Sequence, residues 1–259
     1  MQAAVAIYLK HLYRFVRSPM EMSATLFLPV LLVGLFGVGM ASAVASLPGA
    51  GSVFGQGYLA YMAPGAAVLA ALSSAVMGGA VLLQERLSGV LRQYLVAPVP
   101  RSAILAGTLG GAVTKAVGQA LLVLALAAAV GAGWQLRPGP CALALAGLAG
   151  FAAGFAGLAA ALAARAPSMA AFHGVLTLLN VPLLFASNAL YPLAVQPAWL
   201  VAFAWLNPVS YVVELLRLAL VAGPVELLGP AGDVVVLAVF AAAGLALGVS
   251  GSRRWASPA

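Results

Sequence analysis

The amino-acid sequence predicts an all-α integral membrane protein of about six transmembrane helices, organised as one domain over residues 1–259. Three observations predict it. Of the 259 residues, 64% are hydrophobic and 7% charged, where a soluble domain carries roughly 25% charged residues. A soluble fold cannot hide that much apolar surface, whereas lipid removes the conflict. Six apolar segments, at about 24–46, 58–83, 103–132, 141–164, 168–190 and 232–251, each approach the ~20 residues that cross a ~30 Å hydrocarbon core. Finally, the basic residues sit in short gaps between these segments, not in a basic domain. The net charge of +7 therefore reflects membrane topology, not nucleic-acid binding.

Residues 1–22 place Lys10, Arg14, Arg17 and Glu21 among Ile7, Leu9, Leu12, Phe15 and Val16. This pattern predicts an amphipathic helix lying along the inner membrane surface, re-aimed by Ser18-Pro19. Ala41-Ser42-Ala43 has the form of a signal-peptide cleavage site. The apolar stretch before it exceeds the usual 7–15 residues and starts beyond residue 20, so it is expected to stay as a span. Pro29 and Pro64 are expected to break the first and second spans, with neighbouring helices satisfying the freed carbonyls. Lys115 falls inside the third span. An intramembrane charge is a functional candidate; here snorkelling to the inner interface is the expectation, with the bundle interior as the other option. Gly107/Gly111 and Gly150/Gly154 recur at four-residue spacing, which lets helix backbones approach closely. Cys141 is the one cysteine, so an intramolecular disulfide and a thiolate cluster are excluded, and a small buried hydrophobe is expected.

Residues 191–231 do not read as a simple span. They are apolar, yet interrupted by Pro192, Pro197, Pro208, Pro224 and Pro230. They carry Trp199 and Trp205, which favour membrane interfaces. Glu214 and Arg217 stand three apart and can pair on one helix face. Short re-entrant helices on the outer side, buried by protein, are expected before the last span. A seventh span through 209–222 would carry Arg253 and Arg254 to the outside.

Charge placement sets that orientation. With both termini cytoplasmic, the inner segments hold nine basic residues: Lys10, Arg14, Arg17, Arg86, Arg92, Arg101, Arg165, Arg253 and Arg254. The outer ones hold two, Arg137 and Arg217. This bias is the positive-inside pattern. Anionic lipid and partner contacts are secondary uses of the same residues.

Residue counts exclude several chemistries. A phosphate-binding loop needs Gly-Lys-Ser/Thr, but the only lysines, Lys10 and Lys115, precede His11 and Ala116. An aspartyl dyad needs two aspartates, and Asp233 is the only one. A zincin site needs two closely spaced histidines, and His11 and His173 are far apart. No cofactor is expected.

The segment after the second span reads Q-E-R-L-S-G-V-L-R-Q-Y-L-V-A-P-V-P-R-S-A-I-L-A-G over 84–107. Within its first part, 84–101, Leu91, Tyr94 and Leu95 lie near Arg86 and Arg92. Such a stretch suits a groove on a soluble partner, and because it joins two spans, moving it moves both. A plain interfacial loop helix is the alternative. Here the chain resembles the type-2 permeases of ATP-binding-cassette exporters, through Arg86, Gly89, Leu91, Leu95, Ala97-Pro98-Val99 and Arg101. A second match runs through Ser187, Pro192-Leu193, Pro197, Trp199-Leu200, Asn207-Pro208, Tyr211 and Arg217, and a weaker one through Arg14, Arg17-Ser18-Pro19 and Pro29. Leu87 and Arg92 depart from the family pattern, which has acidic residues there; Glu85 stands close enough to substitute.

The resemblance implies an exporter subunit in the inner membrane that pairs with a second permease copy or homologue. A separate cytosolic ATPase would engage Glu85, Arg86, Gly89, Leu91, Arg92, Leu95, Pro98 and Arg101. Asn207, Pro208, Tyr211, Glu214 and Arg217 would belong to an outer gate. The apolar, Gly/Ala-rich pathway suits a drug, a lipid or a lipid-linked glycan. Two other readings compete. Gly248-Val249-Ser250-Gly251 with His173 resembles an intramembrane serine protease, although Ser250 is at the very end of its span. A stand-alone channel or carrier lacks an evident ion relay, because Lys115 and His173 are nearly the only titratable groups inside the spans.

Overall fold

The structure is a computed structural model and describes residues 2–46, 54, 56–96, 99–221 and 227–252, leaving the side chains of Arg92 and Leu95 undescribed. Pro98, Pro224, Arg253 and Arg254 lie outside the described residues. Among the described residues there are helices and no strand. That is the arrangement lipid demands, since an α-helix satisfies its own backbone.

The chain opens with α1 (Gln2–Val16) and α2 (Pro19–Leu31), which runs on as a π-helical stretch over Leu32–Val38 and ends near the short α3 (Ala41–Ala45). Then come α4 (Tyr58–Leu87), α5 (Val90–Val96), α6 (Arg101–Ala129), α7 (Pro138–Ala163) and α8 (Met169–Phe185). A 3-10 turn at Leu193–Val195 leads into α9 (Ala198–Leu206), α10 (Pro208–Leu220) and α11 (Gly229–Ser252). Five helices are long and apolar enough to cross a membrane: Pro19–Val38, α4, α6, α7 and α11. The remaining expected span is α8, whose 17 residues rise about 25 Å, the short end of the spanning range. Within the proline-rich stretch, α9 and α10 meet at a bend of 84°.

Helix α4 is the centre of the bundle. Met62, Ala63, Ala66, Ala67, Val68, Ala70 and Ala71 are fully buried, because α6, α7, α10, α8 and α2 pack around it. Alanine and glycine make this possible. An added Cβ on Gly79 would come within 2.6 Å of Ala159, and one on Gly78 within 2.6 Å of the Ala112 Cβ. The closest pairing is α7 on α11, where Gly154 and Gly157 face Gly244 and Gly248 with no room for a side chain. Gly107 and Gly111 serve a different contact: they seat α1 against α6 at Ala4, Ile7 and His11. Small-residue spacing thus does ordinary packing work.

The expected breaks at Pro29 and Pro64 are not seen; both prolines lie inside continuous helix. A proline removes one N–H and frees the carbonyl four residues earlier. For Pro64 that carbonyl is Ala60 O, and Trp134 Nε1 donates to it at 3.4 Å. Beyond Pro29 the helix widens to π geometry over Leu32–Val38, a common way to absorb a misfit.

Helix α1 has three faces. Ile7 and His11 are buried against α6, Lys10, Arg14 and Arg17 form a basic side, and Val5, Leu9, Tyr13 and Val16 are an exposed apolar stripe. The apolar stripe beside a basic one is what an interfacial helix needs.

Candidate functional site

Two polar clusters stand out, one at each end of the bundle. The first surrounds α5. Gly89, at φ +79°, turns the chain from α4 into α5, a left-handed conformation that favours glycine. The short helix is then anchored from inside: Leu91 is buried with Ile7 of α1 and Ile104 of α6, and Tyr94 and Val99 pack on that cluster. Lys10 of α1 donates to Glu85 at 2.6 Å and to the Tyr94 hydroxyl, with its ammonium 5.1 Å from the Tyr94 ring centroid. Burial pulls the Lys10 pKa down, but the Glu85 and Tyr94 contacts outweigh it and the net shift is upward.

The sequence-predicted residues of this segment divide. Glu85 is buried under Lys10. Arg86 points to the end of α7, its guanidinium donating to Ala163 O at 2.7 Å and Ala166 O at 3.1 Å. Those carbonyls end a helix, where a cation is favoured. Leu91 is inside the chain, not offered to a partner, because a seven-residue helix needs an apolar anchor. Arg101 is exposed at the start of α6, and Leu87, Gln93 and Val96 face outward.

Next to this cluster, α1, α2 and α6 share buried polar side chains that sequence reasoning did not connect. Lys115 does not snorkel to water. Only 4% of its side chain is exposed; it pairs with Glu21 at 3.1 Å and lies 5.2 Å from the Phe15 ring centroid. The physical reason is that α1 and the start of α2 run beside α6 and seal it. Gln119 donates to the Thr25 hydroxyl one turn further along. His11 Nε2 and the Thr108 hydroxyl are 3.2 Å apart. Burial, then the charges of Lys10, Lys115 and Arg14, push the His11 pKa down to about 4. The only advance signal was Lys115 itself; its partner is 94 residues away.

The second cluster holds the proline-rich stretch. Asn207 closes one helix and opens another: Nδ2 donates to Leu183 O at 2.7 Å and Ala186 O at 2.8 Å, while Oδ1 accepts from Val209 N at 3.0 Å. An asparagine before Pro208 fits both tasks, as side-chain N-cap followed by a proline that needs no donor. Tyr211 donates to Trp205 O, fixing the corner between α9 and α10. Arg217 reaches across to α4 and the strap after α8. Its Nε donates to Tyr61 O at 3.1 Å, its Nη2 to Asn188 O at 2.6 Å and Ala189 O at 3.1 Å, and its guanidinium stacks 3.5 Å from the Tyr61 ring centroid. The Glu214 carboxylate accepts from Leu227 N at 2.9 Å. The structure sets Asn207, Pro208, Tyr211, Glu214 and Arg217 at the cap of α10 and along it, with Asn207, Tyr211, Glu214 and Arg217 buried.

The contacts among the described residues do not assemble the protease constellation. The Ser250 hydroxyl donates to Leu247 O at 2.8 Å within its own helix. His173 is exposed on α8, which packs on α4, whereas α11 packs on α7.

Long apolar helices packed around a buried central one define a multi-pass membrane protein. The chain belongs to the ABC-2 type transporter family, whose family model matches residues 2–221. That makes it a membrane permease subunit of a transport system. It is similar to "Putative transport permease ycf38" of Porphyra purpurea, 27% identical over 202 residues, covering 78% of this chain and 68% of that protein. A shorter match, 43% identical over 51 residues, links it to "Putative transport permease ycf38" of Cyanophora paradoxa; it covers 20% of this chain and 18% of that protein.

Proposed function

We propose that the chain is the transmembrane subunit of an ATP-binding-cassette exporter, moving a hydrophobic or amphipathic substrate outward across a cell membrane. A drug, a lipid or a lipid-linked glycan fits the Ala/Gly-rich, weakly polar helices equally well. Two copies, or one copy and a homologue, form the pathway, with both termini cytoplasmic. A separate cytosolic ATPase dimer engages the 84–101 segment. The observation that carries this reading is the way α5 is held: Gly89 frees its entrance, and Leu91, Lys10 and Tyr94 tie it to α1, α4 and α6. A push on α5 is thereby delivered to the two longest helices, α4 and α6, at once. ATP-driven closure of the partner shifts the equilibrium between inward- and outward-open bundles by binding one of them more tightly.

Within this reading Leu87, Gln93, Val96 and Arg101 offer the contact surface, and Glu85, Arg86 and Leu91 transmit the force. At the far end, Asn207, Pro208, Tyr211, Glu214 and Arg217 form the outer gate. The Arg217 bonds to α4 and to the strap after α8 would make that gate move with the core.

The test is Gly89→Pro. Proline fixes φ near −65°, incompatible with the +79° found at Gly89. Affinity capture of the ATPase by the tagged chain should be lost while the protein remains folded in detergent. Retained capture, or robust substrate efflux from liposomes holding this chain without an ATPase, would overturn the proposal.

A further inference from the structure

A groove of about 580 Å³ opens between α6 and α7, with the end of α10 as its floor. That volume falls within the range of small-molecule sites. Leu124, Ala144, Leu216 and Leu220 are buried in it, and Leu121 and Leu145 stand exposed at its rim. It extends along α6 from Leu121 to Ala128, a rise of about 10 Å. The lip is the 133–136 turn, tied down by Gln135 N to Leu220 O at 3.1 Å and Arg137 N to Ala219 O at 3.2 Å. Trp134 forms part of the wall, and its indole N–H is already committed to Ala60 O. Among the described residues no charged side chain lines the groove. Arg137 is exposed beside the lip residue Leu136.

We infer that this groove holds an acyl chain of a membrane phospholipid, with Arg137 contacting its phosphate. The outer-leaflet placement rests on the orientation proposed above. An apolar slot with a cation at its mouth complements a molecule that is apolar over most of its length and carries an anionic phosphate near one end. Because lipid tails are already in an apolar medium, burying the chain gains close packing, not hydrophobic transfer. The charge-assisted contact to phosphate supplies the preference for this site. The groove lies on the flank of α6 and α7 with the α10 end as its floor, so the bound lipid braces the α10 end against α6.

The test uses the full chain in vesicles of phosphatidylcholine brominated on its acyl chains. Trp199→Phe, Trp205→Phe and Trp255→Phe leave Trp134 as the reporter. Quenching of Trp134 should be strong and should fall at least severalfold when Ala125→Phe fills the groove. Ala125 is exposed on α6, so the added ring does not overpack the core. Native mass spectrometry of the detergent-purified chain provides a second reading. A retained phospholipid should drop about tenfold with Arg137→Glu, the loss that one charge-assisted contact implies. Quenching unchanged by Ala125→Phe, or phospholipid retention unchanged by Arg137→Glu, would overturn the inference. Displacement of the lipid by a free hydrophobic dye at equal concentration would also overturn it, by making the groove a general drug site. None of these readouts depends on transport, so failure of the exporter proposal would leave them standing.

Discussion

Removing the buried charge at Lys115 tests the packing of the N-terminal helices against α6. The pair distance is 3.1 Å, with the Lys115 side chain 4% exposed and Glu21 16% exposed. At an effective dielectric near 20, that separation gives an attraction of about 5 kcal/mol. Deleting one partner also leaves the other charge sealed in an apolar setting, and breaking buried pairs costs roughly 3–5 kcal/mol. Lys115→Met alone and Glu21→Leu alone should therefore each destabilise strongly, by about 3 kcal/mol or more. The double replacement should recover most of the loss, since well-packed apolar substitutes for a buried pair are often neutral. Thermal unfolding in detergent, measured for wild type, both single variants and the double variant, closes the cycle. If the double variant is as unstable as the sum of the singles, the two charges do not sense one another and the packing of α1 and α2 described above is wrong. If all variants are stable but transport-dead, Lys115 is a transport residue instead of a structural one.

Three further outcomes follow from the same contacts. The pKa of His11 is held at about 4, below its ordinary 6.5, so the folded chain resists protonation. Its stabilising contribution is complete above pH 6.5 and is lost as pH falls toward 4, by on the order of 3 kcal/mol; His11→Gln should flatten the pH dependence of unfolding in that window. Asn207→Leu leaves Leu183 O, Ala186 O and Val209 N without their partner, and should cost about 2–4 kcal/mol, read as a lower melting temperature and as faster hydrogen exchange at 183–190. Gly244→Leu meets the Gly154 backbone; since overpacking costs at least about 1–3 kcal/mol and backbone has little room to give, the variant should purify poorly, whereas Gly174→Ala, with open space around it, should behave as wild type.

The two halves of the site were not equally readable. Pro208 read as one more interruption of an apolar stretch; what the sequence did not announce is that the Asn207 amide caps α10 and also ends α8. Leu91 read as a partner-facing residue because amphipathicity identifies an apolar face without saying what covers it. In the fold it is α1, arriving from more than 80 positions earlier, that covers it. Arg86 likewise read as a charge on a loop, yet its nitrogens complete the last turn of a helix 77 residues further on. Pro29 and Pro64 read as breaks because local rules count the lost hydrogen bond, and Trp134, which restores one of them, lies 74 positions from its acceptor.

Hydrophobic length and the siting of Lys and Arg are local quantities, summed over about twenty neighbouring residues. They were enough to place the five helices long and apolar enough to cross a membrane and to mark the proline-rich stretch before the last of them as different. Side-chain pairing is not local. Where Lys10, Lys115 and Arg217 found their partners was decided only when distant helices met, because in an apolar bundle the few polar groups must seek one another across the fold or remain unsatisfied.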